Sequence, residues 1–115
     1  MTIKWGSTRT VILTNRFAFK IPYIGLWRHF LLGLLANMQE RQWHGMSAKL
    51  CPVTSAIPGG FLLVMPRASE LSREAFDQFD FEGFVEHDDF VLPVENKLDS
   101  FGKLNGQIVA IDYGS

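Results

Sequence analysis

The chain has 115 residues, 47% of them apolar and 20% charged, and a formal net charge of −1. That length holds one domain able to bury a core without staples, and the near-neutral balance excludes a general nucleic-acid or membrane-surface binder, which needs an excess of cations. A single cysteine, Cys51, excludes an internal disulfide and suits a reducing compartment.

Met1 to Gly6 form no apolar leader, and the longest hydrophobic stretch is interrupted by Arg28, His29 and Asn37. Neither export nor a membrane span is expected, and the expected location is the cytoplasm. Residues 3 to 21 read as two strands, Thr10 to Thr14 and Phe17 to Ile21, around a turn at Asn15-Arg16. Alternation puts Phe17, Phe19 and Ile21 on one face and Ala18 and Lys20 on the other. A Lys on such a strand can simply snorkel to solvent.

Leu26 to about Trp43 is the clearest helix. Trp27, Phe30, Leu31, Leu34, Leu35 and Met38 recur at three and four residues, which predicts a core-facing stripe. A second line, Gly33, Ala36 and Glu40, would let the helix approach a sheet while Glu40 reaches across it. Glu40 also fits a solvated polar helix end. His44-Gly45 closes the helix, with the glycine predicted as a left-handed cap.

Leu50 to Thr54 and Gly60 to Met65 read as an antiparallel pair around Pro58-Gly-Gly. Cys51 lies among apolar neighbours and reads as a small buried residue. Leu71 to about Glu86 reads as a second helix begun by Ser72 as N-cap, and its four Phe residues, 76, 79, 81 and 84, read as core. Glu86 to Asp89 reads as a solvated acidic loop, not a metal site, because consecutive residues do not share a face. The last fifth reads as a polar loop from Pro93, a short strand, a turn at Asn105-Gly106, and an apolar strand Ile108 to Ile111 that delivers Asp112 at its end. The expected class is α+β, a single domain over residues 1 to 115: an antiparallel sheet with one packed long helix, then a second helix and a C-terminal hairpin.

The spacings in that last fifth resemble the protein kinase superfamily. Kinases follow a catalytic Asp by a Lys at plus two and a metal-binding Asn at plus five, with Asp-Phe-Gly a short hairpin later. Here Glu95 is followed by Lys97 and Ser100, and Asp112-Tyr113-Gly114 comes twelve residues after Ser100. Phe17-Ala-Phe-Lys20 is similar to the Val-Ala-Ile-Lys of the kinase third strand, and Glu40, twenty residues on, stands where the pairing helix Glu is expected. The likeness is to truncated kinase-like proteins of the short type found in phages and proteobacterial mobile elements.

The resemblance implies that Lys20 and Glu40 hold ATP phosphates, that Asp112 and Ser100 hold Mg²⁺, and that Glu95, with Lys97, serves catalysis. It implies an adenine-holding hinge at Met65 to Ala68, although Pro66 removes one donor. The chain departs from the family in several ways. Glu95 is one methylene longer than Asp, a displacement of about an ångström worth on the order of a hundredfold in rate. Ser100 offers a metal only a hydroxyl. No Gly-rich phosphate loop is evident beside Gly6, and neither an activation segment nor a helical C-lobe is seen. The expectation is a degenerate kinase-like protein that binds a host or partner protein, with a homodimer as one arrangement. The alternative is a minimal ATP- and Mg-dependent phosphotransferase or nucleotide binder.

Overall fold

The computed structural model describes residues 1–6, 8–86 and 90–114. It is α+β. Strands β1 (Thr2–Trp5), β2 (Arg9–Leu13), β3 (Phe17–Pro22), β4 (Ser55–Ile57) and β5 (Leu62–Pro66) form one antiparallel sheet in the order β1-β2-β3-β5-β4. Strands β6 (Ser69–Glu70), β7 (Phe101–Leu104) and β8 (Gln107–Ala110) form a second. Between β3 and β4 runs helix α1 (Trp27–Trp43).

The first two predicted strands are present, and Thr2–Trp5 adds an exposed edge strand before them. In β2 and β3, Val11 lies opposite Lys20 and Leu13 opposite Ala18, the register that a turn centred on Asn15-Arg16 dictates. The buried face of β3 is the one carrying Ala18 and Lys20.

Helix α1 has the predicted extent, but most of its large apolar stripe does not face the core, only Phe30 and Leu34 being half-buried. Trp27, Leu31, Leu35 and Met38 are exposed, whereas Gly33, Asn37 and Glu40 are buried. The reason is close approach. A Cβ on Gly33 would lie 2.2 Å from the Thr8 carbonyl oxygen, and one on Gly60, at φ +83°, would lie 2.1 Å from that of Leu34. A stripe of Leu and Trp could not come so near the strands, so the small and polar line turns inward. The helix end also differs from expectation: Gly45 is not left-handed, and the chain leaves through His44, whose N–H donates to the Glu40 carbonyl.

The strand pair around Pro58-Gly-Gly exists, but its first strand begins at Ser55, beyond Pro52, which has no N–H to donate. Leu50 and Cys51 instead stitch to the C-terminal hairpin. The Cys51 N–H donates to the Ala110 carbonyl and the Ala110 N–H to the Lys49 carbonyl, each at 2.8 Å.

The predicted second helix is two short ones, α2 (Arg73–Asp77) and α3 (Phe81–Val85). Ser72 caps the first as expected, and Asp80 caps the second by accepting from the Gly83 N–H. On one straight helix Phe79 and Phe81 would point about 200° apart. The break lets Phe76, Phe79, Phe81 and Phe84 all reach Phe101, with centroids 5.0 to 6.1 Å from its ring. Their core assignment stands. Of the acidic stretch from Glu86, residues 87–89 lie outside the described residues.

The C-terminal hairpin is as expected, with Asn105 at φ +54° and Gly106 at φ +80° turning β7 into β8. Among the described residues no helix is long and apolar enough to cross a membrane.

Candidate functional site

Four charged side chains from distant parts of the chain meet where the two sheets face each other. Lys20 comes from the middle of β3, Glu40 from the last turns of α1, Arg9 from the start of β2, and Asp112 from just beyond β8. Glu40 is wholly buried. Its Oε1 accepts from Lys20 Nζ at 2.6 Å and from Arg9 at 2.8 Å, and its Oε2 accepts from Arg9 at 3.0 Å and from the Tyr113 N–H at 3.0 Å. A carboxylate has about four acceptor positions, so Glu40 is saturated.

Arg9 grips Glu40 with both terminal nitrogens, donates to Asn37 Oδ1 at 3.1 Å, and spends a further N–H on Asp112 Oδ1 at 2.9 Å. Lys20 donates to Glu40 and to the Ile111 carbonyl, so the strand lysine is tied to the residue just before Asp112. Asn37 fixes the base of the cluster by donating to the carbonyls of Lys20 and Gly60. The Tyr113 hydroxyl donates to the Cys51 carbonyl at 2.7 Å, which anchors the Asp112 segment to the stretch before β4.

The electrostatics follow from this closure. Burial pushes Lys20 below the usual lysine range despite Glu40, and Arg9 adds to the effect. Burial alone would raise Glu40, but Lys20 and Arg9 more than reverse it and hold the carboxyl below its usual range. Lost hydration raises Asp112 against the opposing pull of Arg9. Burial pushes the Cys51 thiol up to about 11, which makes it a poor nucleophile at neutral pH, as its apolar neighbours suggest.

The cluster forms one wall of a cleft of about 850 Å³. Val11, Ala18, Met65 and Phe101 give the cleft apolar surface, and Lys20, Asp112, Glu95 and Lys97 all line it. Five of the six residues singled out from the sequence therefore share a site, since Glu40 sits directly behind Lys20. Glu95 and Lys97 are exposed and paired with each other at 2.7 Å.

Ser100 is the sixth, and it is placed differently. It is buried at the end of a 3-10 turn (Leu98–Ser100), its carbonyl accepts from the Ile111 N–H, and it is not among the residues lining the cleft. No group of three or more His, Cys, Asp or Glu side chains suited to a metal occurs among the described residues. Both carboxylates that reach the cluster are engaged by cations of the chain, Glu40 through both oxygens and Asp112 through Oδ1.

At the hinge-like segment, Pro66 has no N–H and the Arg67 N–H already donates to the Arg16 carbonyl at 2.8 Å. Two of the backbone donors that could hold an adenine are therefore missing or used.

Arg9, Asn37 and Tyr113 were not singled out from the sequence. The signal for Arg9 lay in the Asn15-Arg16 turn, whose register puts Arg9, Val11 and Leu13 on the Lys20 face. Asn37 lay one turn before Glu40 on the same helix line. Comparison of the chain with protein-family models, with curated proteins and with solved structures finds no match.

Proposed function

We propose that this chain is a degenerate kinase-like domain that acts by binding a protein partner rather than by transferring phosphate. The observation that carries this reading is the internal closure of the Lys20–Glu40–Asp112 centre by Arg9. A kinase uses its strand lysine, paired to a helix glutamate, to hold phosphates, and its hairpin aspartate to hold a metal. Here the same residue types converge, but Arg9 is bonded to both carboxylates, and two hinge donors are absent or used. The resemblance suggests a host protein as the partner, and the single cysteine and the sequence of Met1 to Gly6 suggest the cytoplasm.

The exposed row Leu31, Leu35 and Met38 on α1, continued by Trp27, supports a partner-binding role, because contiguous apolar surface of this kind is what protein partners cover. The test is co-purification of the partner with the wild type, with Leu31→Glu/Leu35→Glu and with Asp112→Asn. The reading expects the helix variant to lose the partner and Asp112→Asn to retain it. Loss in Asp112→Asn alone would move the function into the cleft. A homodimer through the same row would appear as a concentration-dependent mass in sedimentation, lost in the helix variant.

A second reading, a minimal ATP-dependent phosphotransferase or nucleotide binder, is favoured by one observation: the cleft of about 850 Å³ has Lys20, Glu95, Lys97 and Asp112 on its walls. It requires nucleotide and Mg²⁺ to displace Arg9 from Asp112.

A further inference from the structure

The guanidinium of Arg9 stands beside Asp112 where the kinase-like reading expects a metal. It is a built part of the site: its side chain is 10% exposed and is held by Asn37 and by both oxygens of Glu40. A bidentate, planar cation fixed in this way is pre-organised and keeps its charge at any physiological pH. Its remaining reach goes to Asp112 Oδ1 at 2.9 Å.

The charges of the cluster balance, with Arg9 and Lys20 against Glu40 and Asp112. A divalent ion at Asp112 would meet two fixed cations a few ångströms away in a partly desolvated wall, and like charges at that range repel strongly. Glu40 has no acceptor position left to offer it. Ser100, the other residue expected to hold the ion, is buried and does not itself line the cleft, although Asp99 and Phe101 do.

We propose that Arg9 is a built-in substitute for the metal, supplying the positive charge at Asp112 permanently, so that the cleft is a divalent-cation-independent site. The inference rests on the kinase-like reading for the expectation of a metal at Asp112, and not on partner binding. Whatever the cleft accepts is therefore taken up without a bridging ion, which selects against polyphosphates that enter as metal complexes and for ligands of low charge that use the apolar wall.

The experiment is a Mn²⁺ titration, read by water-proton relaxation, of the wild type, Asp112→Asn, Arg9→Met and Arg9→Met/Asp112→Asn. The wild type and Asp112→Asn should bind Mn²⁺ equally weakly. Arg9→Met should gain affinity by at least about tenfold, because one fixed positive charge has left the neighbourhood of Asp112, and the double variant should lose that gain. Two results overturn the inference: Mn²⁺ binding by the wild type that is tighter than by Asp112→Asn, or a folded Arg9→Met with no gain. Should Arg9→Met fail to fold, the comparison of wild type with Asp112→Asn decides by itself. No partner takes part in this titration, so its failure leaves partner capture untouched, and loss of partner capture leaves the Mn²⁺ result standing.

Discussion

Arg9 and Asp112 lie 103 residues apart in the chain and are joined by a hydrogen-bonded ion pair of 2.9 Å, with Glu40 clasped by the same guanidinium. One side chain therefore ties the second strand, the long helix and the C-terminal hairpin together. The two carboxylates it holds differ in burial, and that difference sets how much each is worth.

Glu40 is fully buried, whereas the Asp112 side chain is 58% exposed. Removing Glu40 leaves the buried Lys20 without a carboxylate and Arg9 with Asp112 alone, so Glu40→Gln should cost about 3–5 kcal/mol in urea unfolding. Asp112→Asn should cost clearly less, because the Asp112 side chain keeps most of its surface in water although Arg9 does not. Equal losses for the two variants would contradict the burial of the cluster.

The pH dependence has a sign for each group. Glu40 is depressed in the folded chain, so the stability it contributes is fully present above its unfolded value of about 4.3 and is lost as pH falls through the folded value. Asp112 is raised, so the folded chain takes up its proton first, and falling pH stabilises between that raised value and about 3.9. The wild type should hold its stability on mild acidification and then lose it. In Asp112→Asn the opposing contribution is gone and the loss should begin at higher pH, as followed by urea midpoints from pH 7 to 3.

Gly33 is where α1 touches the sheet, with no space for a methyl group beside the Thr8 carbonyl and Pro22. On an exposed helix Gly→Ala normally stabilises by a fraction of a kcal/mol to about 1. Here Gly33→Ala should instead destabilise by about 1–3 kcal/mol, because the helix must back away and loosen the Glu40 contacts. A stabilised Gly33→Ala would refute the close approach.

Cys51 is fully buried and its thiol is raised to about 11. Labelling by a thiol reagent at pH 7.5 should be slow in the folded chain and become fast at the urea midpoint of global unfolding. Fast labelling without denaturant would show that the Leu50–Ala110 stitch opens locally.

Much of the fold was legible because its signals are local: the Asn15-Arg16 and Asn105-Gly106 turns, the Ser72 cap, the extent of α1. The orientation of α1 was not, because periodicity gives the apolar side but not the side that must approach a sheet at glycine distance. The single second helix failed for a related reason: Phe101, thirty residues downstream from Leu71, sets where Phe79 and Phe81 must point. Lys20 and Glu40 were paired only through the resemblance to the kinase strand lysine and helix glutamate, with a solvated Glu40 as the other reading. Arg9 completes their site only once the hairpin register is drawn, and the burial of Ser100 is set by the 3-10 turn that it ends.

The central claim is that Arg9 closes the Lys20–Glu40–Asp112 centre from within, and a thermal melt with and without Mg-ATP on the wild type and on Asp112→Ala tests it most directly. The account predicts no change in midpoint for either protein up to millimolar nucleotide. A ligand at one hundred times its dissociation constant would add about 2.7 kcal/mol of apparent stability. A rise of that size in the wild type, abolished in Asp112→Ala, would contradict the account and establish a working nucleotide site.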